Sequence, residues 1–102
     1  MGYRYNFKFC KTGSMIYISH LDLIRLFGRA MRRAGLPIAL TEGYNPHPKF
    51  KLKKALKLGV SSLSEEAEVV LKKEVKPGEV CERLQKELPE GISINEINCQ
   101  KF

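Results

Sequence analysis

A group of arginines in the first third of the chain offers the sharpest chemistry in this sequence. On a helical wheel of about 100° per residue they share one arc, opposite an arc of apolar residues. Guanidinium groups clustered in this way can grip phosphates through bidentate hydrogen bonds. An ordinary solvated helix face is the alternative, although such faces normally mix charges of both signs. The candidate phosphate-binding residues are Arg25, Arg29, Arg32 and Arg33.

A second basic feature follows, in which lysines alternate with apolar residues. This alternation predicts an extended strand with one charge every second residue, roughly 6.6–6.8 Å apart. The spacing is close to the phosphate repeat along a nucleic-acid strand. The candidate RNA-binding residues therefore include Lys49, Lys51 and Lys53.

Between these two features lies a segment in which prolines flank a histidine on both sides. Prolines fix the backbone and withhold strand hydrogen bonds, so the segment is predicted to be a rigid loop. A preordered loop loses little entropy on binding, which makes its polar side chains candidates for stacking and base-edge contacts. These candidates are Tyr44, Asn45 and His47, and a purely structural turn is the alternative.

His20 stands at the start of the predicted arginine-bearing helix and could act as a general base near neutral pH. A histidine that packs against the core and caps the helix is the alternative. The sequence has no nucleophile motif, no glycine-rich phosphate loop and no ligand spacing typical of a metal site. We therefore expect neither a metal nor a cofactor.

The overall charge is unevenly divided along the chain. The net charge is +7; residues 1–60 hold twelve Lys or Arg against two acids (+10), whereas residues 61–102 hold six against nine (−3). A basic half places a positive field over part of the surface, and such a field attracts polyanions. RNA or DNA is the usual partner, an anionic membrane is the other candidate, and a protein that is merely basic is the alternative.

Length and composition predict one globular domain over residues 1–102, with 43% hydrophobic and 28% charged residues. No apolar stretch approaches the roughly 20 residues needed to span a bilayer, so a transmembrane protein is excluded. As partners we expect RNA and no membrane. Three widely spaced cysteines predict reduced thiols, and the N-terminus lacks the apolar core of a signal peptide. A cytoplasmic location is expected.

In the first half of the chain, strict alternation predicts a strand from Tyr3 to Phe9, whose aromatic row forms either the core or a stacking platform for bases. A helix is predicted after the N-cap Ser19, ending at Gly35. A second strand is predicted from Ile38, resuming beyond the proline loop to Val60 with a possible bulge at Lys54.

In the second half, a turn is predicted over Ser61–Ser64, followed by a strand. Pro77 begins a helix that ends at Pro89, and a last strand starts at Ile92, with its alternation failing near Glu96. The order β-α-β-β-α-β predicts an α+β fold of the ferredoxin-like type, with an antiparallel sheet and two helices on one face.

Five stretches of the sequence together resemble the radical SAM-linked domain family, whose members occur alone or fused to the C-terminus of radical SAM proteins. The motifs ISHLDL and GYNPHPK are fairly specific, and the similarity runs over most of the chain. The stretches are Lys11–Gly13, Tyr17–Leu23, Arg32–Pro37, Thr41–Lys49 and Ala55–Val60.

The resemblance implies an accessory role beside a radical SAM enzyme, without an iron–sulfur cluster in this chain, because the CxxxCxxC triad is absent. Family members are usually about twice this length, so the chain resembles their N-terminal half. The lysine-rich stretch from Lys51 to Lys57 replaces a more apolar, proline-containing stretch of the family.

Taken together, the residues and the resemblance favour a non-catalytic RNA-binding accessory domain that presents RNA to a radical SAM partner. The enzymatic alternative is a metal-independent endoribonuclease using His20, by analogy with ferredoxin-like repeat-processing nucleases. A third alternative is a protein–protein adaptor for the radical SAM partner. Homo-oligomers are possible through apolar surface that an absent second half would cover.

Overall fold

The computed structural model describes residues 2–53 and 62–101. Its strands are β1 (Tyr3–Lys11), β2 (Phe50–Leu52), β3 (Ser62–Leu71) and β4 (Ile92–Lys101), and its α-helices are α1 (His20–Arg33) and α2 (Pro77–Gln85). The strands form one antiparallel sheet in the order β2-β3-β1-β4. This arrangement confirms the predicted α+β ferredoxin-like fold. No helix within these two ranges is long and apolar enough to cross a membrane.

The core lies between the helices and one face of the sheet. Alternation along β1 buries Tyr5, Phe7 and Phe9, which confirms that this aromatic row is core and not a stacking platform for bases. The ring of Phe27 on α1 meets Phe7 with a centroid distance of 5.7 Å and Phe9 at 5.1 Å. Phe50 on β2 completes the cluster, 5.2 Å from Phe27. The apolar side of α1 is therefore turned to the sheet.

Both ends of α1 have the predicted caps. The Ser19 hydroxyl accepts a hydrogen bond of 3.1 Å from the backbone N–H of Asp22. At the other end Gly35 has φ +69°, and the Leu36 N–H donates to the carbonyl of Met31 at 3.2 Å. This is the Schellman pattern, in which glycine supplies the left-handed residue after the helix.

A side chain from α2 also contacts the C-terminal end of α1. The Arg83 guanidinium donates to the Ala34 carbonyl from Nε at 3.0 Å and from Nη2 at 2.7 Å, and from Nη2 to the Gly35 carbonyl at 2.8 Å. These carbonyls have no partner inside the helix, so the cation satisfies them and complements the negative end of the helix dipole. Arg83 thereby ties the two helices together.

The second predicted strand is much shorter than expected. Before the proline loop the chain makes only isolated bridges, Ile38 with Leu71 and Leu40 with Pro48. Prolines remove the backbone donors that a longer ladder needs, so pairing resumes only for the three residues of β2. The remainder of this prediction, with the bulge at Lys54 and the end at Val60, lies outside the described residues.

Two other boundaries differ from the prediction, and a third irregularity has a structural explanation. The prediction of a turn over Ser61–Ser64 is wrong from Ser62 onward. Strand β1 continues past Phe9 to Lys11, which pairs with Ser62. Helix α2 ends at Gln85 instead of reaching Pro89. The loss of alternation near Glu96 is a bulge: Lys8 pairs with Glu96 and Phe9 with Ile94, leaving Asn95 extra.

Tyr5 joins the centre of the sheet to the loop before α2. Its hydroxyl donates to the Val75 carbonyl and accepts from the Val75 N–H at 2.8 Å. Burial raises the pKa of Tyr5 from 10.0 to about 12, and the hydrogen bond to Val75 opposes part of that rise. The folded state therefore retains the phenol proton at a pH where the unfolded chain has released it.

Replacing Tyr5 by Phe should cost about 2 kcal/mol of unfolding free energy at pH 8, because both backbone groups of Val75 lose their partner. Between the unfolded pKa of 10.0 and the folded value of about 12, the parent should lose up to about 1.4 kcal/mol per pH unit through this group. The variant lacks the phenol and has no such loss. Urea unfolding at pH 8 and pH 11 measures the difference, which should shrink at the higher pH; a constant difference contradicts the assignment.

Candidate nucleic-acid interface

A groove runs between one flank of α1 and the chain that leads from the proline loop into β2. Its volume is about 600 Å³, within the range of ordinary ligand sites. Three of the four predicted arginines line this groove, together with the predicted histidine of the proline loop, His47, and apolar residues. The lining residues are Ile24, Arg25, Gly28, Arg29, Arg32, Thr41, His47, Pro48 and Phe50.

Carboxylates of the described residues offset little of the positive charge on this groove. Arg25 lies 3.6 Å from Asp22, but both side chains are 62% exposed, so the pair contributes little. Within the described ranges, Arg29 and Arg32 have no carboxylate within 4.0 Å. Their guanidinium donors are therefore available to an anionic ligand.

The loop between Thr41 and His47 forms the other wall. The Thr41 N–H donates to the His47 carbonyl at 2.8 Å, and the His47 N–H donates to the Thr41 hydroxyl at 3.0 Å. This pair of bonds closes the loop and holds both residues against the groove. Tyr44 and Asn45 are exposed residues of the same loop and are not among the described groove-lining residues.

Apolar residues of the groove were not among the predicted site residues. Phe50 is half-buried: its ring stacks at 26° on Phe7 with a centroid distance of 6.3 Å, and it also lines the groove. Ile24 and Pro48 complete this apolar part. The sequence did carry a signal for these residues, because Phe50 lies two residues after Pro48 and Ile24 directly precedes Arg25.

Two predicted residues lie elsewhere. Arg33 lines a separate depression together with Leu88 and Glu87. Arg29 lines this depression as well as the groove. His20 is exposed at the first residue of α1 and, among the described residues, does not line the arginine groove. In the same described part of the chain, no three His, Cys, Asp or Glu side chains come together to hold a metal ion.

The lysines of β2 and its neighbours do not extend the arginine groove. Lys51 lies on the sheet face away from the helices, 3.7 Å from Glu68, which is also 3.6 Å from Arg4. Lys53 borders a small polar cavity of about 100 Å³ on that same face, together with Glu66. Lys49 is exposed and outside the groove lining among the described residues. The helix and the strand thus carry two separate basic surfaces.

Gly28 occupies the middle of α1 where the helix borders the groove. A Cβ built at this position would meet no described atom within 4 Å. Glycine is therefore not required here by close packing against a neighbour, and its φ is not positive. Its effect is to leave an open gap in the wall between Ile24 and Arg32, which stand one turn to either side.

The fold and the groove define a small α+β domain that presents three arginines on one flank of its first helix, two of them without a carboxylate partner among the described residues. The chain belongs to a bacterial family described as "Uncharacterized protein conserved in bacteria (DUF2344)", whose model matches residues 4–101. The matched range includes every residue that lines the groove. No curated protein and no solved structure matches the chain.

Replacing Gly28 by Ala should raise the unfolding free energy by about 0.5–1 kcal/mol, because alanine loses less backbone entropy in a helix. The open space at this position gives the added methyl group nothing to displace. Urea unfolding of parent and variant measures the change. A loss of stability would show that Gly28 is needed for packing and would contradict the open groove wall.

Proposed function

We propose that this protein is a non-catalytic RNA-binding accessory domain that works with a radical SAM enzyme in RNA or ribosome-related modification. The observation that supports it best is the groove in which Arg25, Arg29 and Arg32 face the loop carrying His47. Arginine is suited to this task because its planar fork binds phosphate oxygens in pairs and stacks on bases.

The spacing of the arginines suits consecutive phosphates of one strand. Residues 25, 29 and 32 follow the i, i+4, i+7 pattern of one helix face. From Arg25 to Arg32 the helix rises about 10 Å. A strand lying along α1 can therefore place neighbouring phosphates opposite successive guanidinium groups, while the loop approaches from the other side.

Charge pairing favours this groove over the open face of the sheet. On the open face, cations stand beside carboxylates: Lys51 and Arg4 beside Glu68, and Lys8 at 3.8 Å from Glu96. A polyanion there would have to compete with these carboxylates and would be repelled by them. Among the described residues, only the exposed Asp22 beside Arg25 opposes a polyanion at the arginine groove, so RNA is proposed to bind there first, with the lysines as a secondary surface.

The proposed partner follows from the sequence resemblance to radical SAM-linked domains. A domain that binds RNA without a catalytic constellation would serve to hold the substrate near the active site of another enzyme. The endoribonuclease and adaptor alternatives stay predictions. His20 is exposed, and among the described residues it does not line the groove that contains the arginines. No contact described above therefore favours His20 as a general base.

Neutralising two groove arginines should weaken RNA binding and reduce its salt dependence. For Arg29→Gln with Arg32→Gln, the slope of log K against log salt should fall in magnitude by about 1.4, which is the effect of two lost phosphate contacts on a single strand. Fluorescence anisotropy with a labelled 12-nucleotide RNA over 50–300 mM salt measures the slope.

The matched control removes the same two charges from exposed residues outside the groove, Lys72→Gln with Lys73→Gln. Its slope should stay within about 0.3 of the parent value, because no phosphate contact is removed. Equal effects of both pairs would indicate a general charge effect and contradict the groove. An absence of RNA binding by the parent at 50 mM salt would end the proposal.

The same RNA, incubated with the parent in EDTA, also tests the enzymatic alternative. The proposal predicts that the RNA stays intact. Cleavage by the parent that is lost in His20→Ala would replace the accessory role with a metal-independent ribonuclease.

A further inference from the structure

The arginine groove combines two kinds of wall that a phosphate ligand alone would not use. The arginines of α1 present guanidinium groups, whereas Ile24 on the same helix and Pro48 and Phe50 across the groove present apolar surface. Phosphates remain hydrated and gain nothing from contact with such a surface. A ligand that joins a flat, largely apolar group to an adjacent anion would use both walls, and a nucleotide has that chemistry.

Phe50 is placed to support a flat ring. Its own ring is held on the core side by Phe7, at 6.3 Å, and by Phe27, at 5.2 Å. It remains half-buried and borders the groove, so covering it with a ligand would remove apolar surface from water. A base stacked against an aromatic or guanidinium group is the usual way in which single-stranded RNA is read.

Gly28 makes the groove accessible to an inserted group. A side chain at this position would project into open space beside Ile24 and Arg32. Glycine lowers helix stability in the middle of α1, and no neighbouring atom requires glycine there. What Gly28 provides is therefore the gap in the groove wall.

We infer that the groove receives one unstacked nucleobase between α1 and the Thr41–His47 loop, with the flanking phosphates on Arg25, Arg29 and Arg32. This inference rests on the proposed RNA-binding function and narrows its substrate to single-stranded RNA. In a duplex the bases are stacked inside the helix, so the apolar part of the groove would stay uncovered.

The first test uses the parent protein with three 12-mers: oligouridylate, its duplex with oligoadenylate, and a ribose-phosphate 12-mer of the same charge that lacks all bases. The single strand should bind about tenfold tighter than either of the other two, the equivalent of one stacked base. Equal affinity for the uridylate and the abasic strand would overturn the inference.

The second test fills the gap in the groove wall. Gly28→Leu should weaken binding of the single strand about tenfold, to the level of the abasic strand, with the salt slope unchanged because no phosphate contact is lost. Gly78→Leu is the matched control, because Gly78 lies in α2, is not among the described groove-lining residues, and a Cβ built there also meets nothing within 4 Å. Its affinity should stay within about threefold of the parent, since the substitution is remote from the groove. Circular dichroism confirms that both variants are folded.

The outcomes separate the inference from the proposed function. If the parent binds none of the three oligomers, the RNA-binding function itself has failed. If the parent binds all three equally, or if Gly28→Leu leaves the preference for single strands intact, RNA binding stands and the base-binding groove is overturned. The inference is supported by a single-strand preference that Gly28→Leu removes and Gly78→Leu retains.

Discussion

The packing of Phe27 sets the rotation of α1 about its own axis, and the rest of the site depends on that rotation. Its ring contacts Phe7, Phe9 and Phe50 with centroid distances of 5.1–5.7 Å. A helix anchored in this way must turn its opposite side outward. The positions of the groove arginines follow from this geometry, since Arg25, Arg29 and Arg32 stand roughly 140–160° around the wheel from Phe27. Phe50 links core and groove because it belongs to both.

The sheet separates the cations of the first half of the chain into two populations. Three of the four α1 arginines border a groove with apolar surface, and all but Arg25 are without carboxylate partners among the described residues. Those of β1 and β2 on the open sheet face stand next to Glu68 and Glu96, which come from the acidic second half. The excess of cations in the first half of the sequence therefore produces an unbalanced positive surface only on the helix side of the sheet.

Local periodicity carried the prediction of the fold. The alternation of β1, the caps of α1 and the proline that begins α2 are each determined by residues close in sequence, and all were recovered. The course of the chain from Ile38 to Lys49 was not, because it depends on a long-range bridge from Ile38 to Leu71 and on a bridge between Leu40 and Pro48 across the proline loop. The separation of Lys51 from the arginines was implied by the alternation of β2, since its neighbours Phe50 and Leu52 pack toward the helices.

The most direct test of the account is an NMR titration of the isotope-labelled protein with a single-stranded 12-mer RNA. The account predicts that amide shifts change along the groove flank of α1 between Ile24 and Arg32 and from Thr41 to Phe50. Shifts concentrated on the open sheet face, at Arg4, Lys8 and Glu68, would contradict it.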